Sequence, residues 1–238
     1  MYNVFKFGGA SVKDAEGVKN LKKILEIHKG EKLIVIISAM GKMTNQLEKV
    51  LDAWYYSPEN LKNNYEIVVN YHLEIVKQLE NKKGEISSVL QPIFDKLWKV
   101  LSHKHSNYYD KDYDIIVSFG EYLSTTLIST YLNLNGYDNE FACAINLIKT
   151  DDSYREGKVN WKETENAIFE FVSKSNQKTI ITQGFIGGTE NNEVITLGRE
   201  GSDYSAAIFA YCLNAKEVTI WKDVPGLLNA DQNFTPMR

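Results

Sequence analysis

The sequence predicts an α/β protein built on a mainly parallel sheet, and three observations carry that expectation. Short β-branched or aromatic runs alternate with segments of helical period, the pattern by which crossover helices cover a parallel sheet. The 238 residues are 43% hydrophobic and 24% charged, proportions that support a sizeable core. The two cysteines, Cys143 and Cys212, each lie inside an apolar run, so neither a disulfide framework nor a metal is needed for folding.

The strand candidates are Val4 to Phe7, Leu33 to Ser38, Phe141 to Ile145, Thr179 to Ile186 and Glu217 to Trp221. Between the first two, Val18, Leu21, Leu25 and His28 recur at helical spacing behind Asp14 as a cap, with Gly30 as a stop. From Thr44 to Leu134 the pattern is almost wholly helical. One stripe holds Leu47, Val50, Leu51 and Trp54, and another holds Leu90, Ile93, Phe94, Leu97 and Leu101. So long an excursion between strands predicts a helical lobe at about 44–134. Ile116, Phe119, Leu123, Leu127 and Thr130 form a further stripe that ends at Gly136, and Ile168, Phe171 and Val172 mark a helix before the fourth strand. Ser202 or Asp203 is the natural N-cap of the helix SDYSAAIFAYCLNA. The final stretch, DVPGLLNADQNFTPMR, reads as loop, which suggests a chain shorter than its fold.

Lys+Arg 27 against Asp+Glu 31 leave a net charge of −4, so no basic field draws nucleic acid or an anionic membrane. There is no charged leader followed by an apolar stretch, and no run approaches a membrane span, so a cytoplasmic protein is expected. His103-Lys104-His105 lacks Cys or His partners at ligand spacing, and no metal site is expected.

Candidate chemistry gathers where strands end. Lys6 sits inside Val-Phe-Lys-Phe and is followed by Gly8 and Gly9, placing an ammonium beside backbone that a phosphate can approach. An edge-strand lysine before a tight turn explains the same residues. Neither G-x-x-x-x-G-K-[ST] nor G-x-G-x-x-G occurs, so phosphate chemistry here needs another scaffold. Ser38 to Thr44 puts hydroxyls and a glycine beyond the second strand, where α/β sheets bind ligands, although Thr44 also fits a helix cap. Glu121 lies beside Gly120 between the apolar Phe119 and Leu123, a place for an amine partner or a solvated helix face. In TLGREGSDY, Arg199 precedes a helix start, so a guanidinium and a positive helix end converge on one spot suited to a carboxylate or phosphate. Lys222 and Asp223 follow the last strand as charged turn residues.

Taken in order, KFGGASV at 6–12, SAMGKMT at 38–44, FGEYLS at 119–124, TQGFIGG at 182–188, TLGREGSDYSAA at 196–207 and WKDVPG at 221–226 resemble the signature blocks of the aspartate kinases, within the amino acid kinase family. The resemblance spans the chain and implies one catalytic domain over 1–238, a three-layer α/β/α sandwich of the carbamate kinase-like type. It implies ATP with Mg2+ held mainly by the nucleotide phosphates, transfer to the side-chain carboxylate of L-aspartate as a first step toward lysine, threonine and methionine, and a homo-oligomer, a dimer. By motif, Lys6 and Asp203 would be catalytic. Ser38, Thr44, Glu121, Arg199, Gly201 and Ser202 would bind aspartate, while Lys6, Gly8, Gly9, Lys222, Asp223, Leu228 and Asn233 would contact ATP. The sequence departs from the family pattern at Ala10 for Thr, Glu200 for Gly and Lys222 for Thr, and again at Leu228 and Asn233. The family pattern also continues past this length, with a further nucleotide-side lysine and small ACT-type regulatory domains. The 238-residue chain is therefore expected to bind Mg-ATP weakly and to ignore lysine and threonine. Two other readings of the blocks are a non-catalytic amino-acid or nucleotide binding module of the same fold and a sibling kinase for glutamate, carbamate or a nucleoside monophosphate.

Overall fold

The computed structural model describes residues 1–80 and 84–222. The strands are β1 (Tyr2–Phe7), β2 (Lys32–Ile37), β3 (Glu140–Ala142) and β4 (Thr179–Gln183), then a hairpin of β5 (Ile186–Gly188) and β6 (Val194–Thr196), then β7 (Glu217–Trp221). Five of them make one sheet in the order β3-β4-β2-β1-β7, with every pairing parallel. The helices are α1 (Ala15–Ile27), α2 (Met43–Tyr56), α3 (Pro58–Leu79), α4 (Glu85–Leu101), α5 (Tyr109–Val117), α6 (Phe119–Leu134), α7 (Ala144–Leu147), α8 (Trp161–Lys174) and α9 (Gly201–Cys212).

Side-chain alternation along the strands divides the core into two layers. Phe5, Phe7, Leu33, Val35 and Ile37 pack with α1 and with Leu47, Val68, Phe94 and Leu123 of the long helical stretch. Val4, Ile34, Ile36 and Ile180 face the other way, onto Ile168 of α8 and Ile208 and Phe209 of α9. A strand buried on both faces must be apolar at every position, which is why Leu33 to Ile37 is unbroken. The result is the expected three-layer α/β/α sandwich. The helical stretch from about 44 to 134 resolves into α2 to α6, whose buried residues belong to the same core as α1 and the strands.

Several boundaries differ from the sequence reading. The stripe from Ile116 to Thr130 spans two helices, which meet at Ser118. The strand expected from Phe141 to Ile145 stops at Ala142, because the Ala144 N–H donates to Gln183 Oε1 at 2.8 Å and starts the short helix α7. The fourth strand ends at Gln183 rather than Ile186. A Cβ on Gly184 would stand 2.7 Å from the Ser202 side chain, so the chain turns there beneath α9 and re-enters as the β5–β6 hairpin. Asp14 caps α1 as expected, accepting from Gly17 N at 2.8 Å. Ser202 and Asp203 do not cap α9. That place belongs to Glu200, in the left-handed region at φ 58°, and Asp203 falls in the first helical turn. No helix among the described residues is long and apolar enough to cross a membrane.

Register positions the site. Phe7 pairs with both Ile37 and Trp221, and Ile37 pairs with Gln183, so four strands end side by side. Gly8, Ser38, Gly184 and Lys222 therefore emerge together at the carboxyl edge of the sheet, where parallel sheets present loops to ligands.

Candidate active site

Lys6 is the penultimate residue of β1, and its side chain is only 7% exposed. A buried ammonium needs a partner. Its Nζ stands 2.7 Å from Oδ1 of Asp203, which the first turn of α9 brings to the strand end. The same carboxylate receives Nζ of Lys222 at 2.5 Å on Oδ2. Burial raises the Asp203 carboxyl, but hydrogen bonds from Lys222 and Lys6 outweigh it and hold the group below the ordinary carboxylate range. Lys222 is pushed the other way, stabilised as an ammonium by Asp203 and then by Glu200.

The loop after β2 lies against Gly9. A Cβ there would sit 2.6 Å from the Ala39 carbonyl oxygen and 2.8 Å from that of Gly41, both backbone, so only glycine fits. The Gly41 N–H also donates to Gly9 O at 2.9 Å. Thr44 is the second residue of α2 and does not cap it, which leaves its hydroxyl to the cavity.

Glu121 enters from α6. Gly120 lets that helix approach so closely that a Cβ would stand 2.8 Å from Cβ of Ala39. Glu121 is 2% exposed, and its Oε1 accepts from Ala39 N at 3.1 Å. Its Oε2 is buried with no partner among the described residues. Burial pushes its carboxyl up to about 8, against the opposing pull of the Ala39 N–H and the charge of Lys6. A buried carboxyl with one oxygen unpaired lacks its donor.

Lys6, Gly9, Thr44 and Glu121 line one cavity of about 730 Å³ together with Ser38, Arg199, Gly201 and Ser202. Arg199 is exposed and makes no ion pair among the described residues. Gly8 lies beside Lys6 and Lys222, whereas Asp223, Leu228 and Asn233 lie outside the described residues. The far wall escaped the sequence reading. Asp114 is fully buried and accepts from Thr196 Oγ1 at 2.6 Å and Arg155 N at 2.9 Å. Arg155 lies over the Tyr113 ring at 4.2 Å and pairs with Asp110 at 3.2 Å. The available signal was Asp114 itself, an acid on the same helical run as Ile116 and Val117.

No group of three or more His, Cys, Asp or Glu among the described residues could hold a metal ion, and Asp203 has both oxygens on lysines. Among the described residues the donor set does not fit a resident metal.

A three-layer sandwich with cations and a buried acid gathered at its strand ends is the framework of a protein that binds a small polar molecule at the carboxyl edge of its sheet. Residues 1–236 match the profile of the amino acid kinase family, and the chain belongs to that family. It is 32% identical over 245 residues to "Aspartokinase 2, chloroplastic" of Arabidopsis thaliana, covering 98% of this chain and 44% of that protein. It is 32% identical over 236 residues to the aspartokinase of Chlamydia pneumoniae, covering 96% and 49%. Among solved structures, E. coli aspartokinase III in complex with aspartate and ADP superposes with a TM-score of 0.87 at 26% identity, over 95% of this chain and 50% of that one. Clostridium acetobutylicum aspartate kinase gives 0.77 at 28%, over 98% and 50%. The chain spans about half the length, or less, of these relatives.

Proposed function

We propose that the chain transfers the γ-phosphoryl group of Mg-ATP to the side-chain carboxylate of L-aspartate, yielding 4-phospho-L-aspartate and ADP. The observation that carries the reading is the Oε2 of buried Glu121, without a partner among the described residues, in the same cavity as Lys6, whose ammonium Asp203 holds. An α-ammonium supplies the donor that this oxygen lacks and favours ionisation of the carboxyl. Arg199, without an ion-pair partner among the described residues, suits the α-carboxylate through a two-pronged contact. Ser38, Thr44 and Ser202 offer hydroxyls between them, with Gly201 admitting the substrate backbone.

The acceptor carboxylate is ionised at neutral pH, so the transfer needs no general base. A bond forms from the carboxylate oxygen to Pγ. The bond from Pγ to the β,γ-bridging oxygen breaks, its electron pair leaves on ADP, and no proton moves. The protein's work is alignment and charge neutralisation. Lys6 would offset charge on the phosphoryl, Asp203 would hold Lys6 in place, Gly8 would leave room for the phosphate oxygens, and Gly9 would let the loop after β2 close on the site. The carry-over of activity is supported by the family match and by relatives named aspartokinases.

Incubation with Mg-ATP, aspartate and hydroxylamine tests this, because an acyl phosphate is trapped as a hydroxamate. Aspartate-dependent hydroxamate, with none from glutamate, is expected. ATP binding without product would favour the non-catalytic binding module.

A further inference from the structure

The charged cluster continues past Asp203. Lys222, immediately after β7, reaches Asp203 Oδ2 at 2.5 Å and also Oε2 of Glu200 at 3.2 Å. Gly8 lies between the two lysines, since a Cβ there would stand 3.4 Å from the Trp221 carbonyl oxygen, 3.6 Å from Nζ of Lys6 and 3.8 Å from Cγ of Lys222. Its φ of −70° is open to any residue, so glycine contributes space there rather than conformational freedom. Two ammoniums fixed on one carboxylate, with no side chain between them, can close together on a tetrahedral anion.

The cluster already holds balanced charge, with two lysines facing two carboxylates. The carboxylates are not equivalent. Asp203 is 22% exposed and tied to both ammoniums, whereas the Glu200 side chain is 67% exposed and, among the described residues, pairs with Lys222 alone. An exposed pair of this kind contributes little, so Glu200 is readily displaced. Its backbone is also left-handed at φ 58°, which is unfavourable for a residue with a Cβ.

We infer that Lys222 is a second cation on the transferred phosphoryl group, beside Lys6, and that Glu200 is the resident carboxylate which this phosphoryl displaces from Lys222. The inference rests on the kinase reading above and adds two roles to it. Lys222, already an expected ATP contact, is placed on the transferred group itself, and Glu200 sets how much of its charge is available. ADP lacks the transferred phosphoryl, so the effect is expected with ATP and not with ADP.

Titration calorimetry with Mg-ATP and Mg-ADP on the chain and its variants tests both roles. Glu200→Gln should tighten Mg-ATP about two- to fivefold, the range of a lost exposed ion pair, and leave Mg-ADP nearly unchanged. Lys222→Met should weaken Mg-ATP about tenfold or more and erase the effect of Glu200→Gln in the double variant, while Lys222→Arg should restore binding. Unchanged ATP affinity in Lys222→Met, or equal effects on both nucleotides, overturns the clamp and leaves the kinase reading standing. Weaker ATP binding in Glu200→Gln overturns the displacement. Binding of neither nucleotide by the unaltered chain overturns the kinase reading together with the inference.

Discussion

Replacing Glu121 with Gln separates the electrostatics of the cavity from its shape. Gln keeps an oxygen to accept from Ala39 N and removes the titration. In the native chain burial raises this carboxyl from 4.5 to about 8. Between those values the folded state keeps the proton and the unfolded chain has lost it. Stability therefore falls as pH rises, by about 1.4 kcal/mol per pH unit, and levels off above the folded value. Integrated from about pH 6 to about pH 7.5, native Glu121 loses about 2 kcal/mol that the Gln variant keeps. For a domain of this size that is about 4–8 °C in Tm. The new amide also places an unpaired donor where Oε2 was, a cost of about 1–3 kcal/mol that does not vary with pH. The diagnostic is thus the difference in slope and not the offset. Thermal unfolding of both proteins across this interval measures it, and parallel pH profiles would refute the assignment of a protonated Glu121. In the same variant the aspartate Kd should rise, because an amide cannot neutralise an ammonium.

Lys6→Met should lower kcat by ~10²-fold or more with a much smaller change in aspartate KM, as expected of a group acting mainly in the transition state; near-normal turnover in a folded variant contradicts it. Arg199→Ala should weaken aspartate by about 1.5–3 kcal/mol and leave ATP nearly intact, a smaller loss than a buried arginine would show because this one is exposed. Calorimetric losses that are equal for the two ligands would rule out that division. Gly9→Ala drives a Cβ into the Ala39 and Gly41 carbonyls and should cost about 1–3 kcal/mol, read as a lower urea midpoint; an unchanged midpoint would show that the loop yields freely.

The sequence alone determined which segments are strands and which are helices wherever the pattern is long or fully apolar. Leu33 to Ile37 reads as a buried strand because both of its faces meet helices, and α1 reads from Asp14 because the cap and the apolar spacing agree. Short elements were illegible. Val194–Thr196 and Ala144–Leu147 owe their form to Ile186–Gly188 and to the Gln183 side chain, partners remote in sequence. The candidate residues were also visible, since glycines, a strand-end lysine and a flanked arginine each have a local reason to be noticed. What they do to one another was decided by the tertiary structure. Lys6 and Asp203 are separated by most of the chain, and only parallel register brings β1 and the first turn of α9 within 2.7 Å. The ionisation of Glu121 depends on burial beneath Ala39, and the wall of Asp114, Thr196 and Arg155 on three elements meeting. Charge interactions fall off over ångströms in space and are indifferent to sequence separation, so no local pattern encodes them.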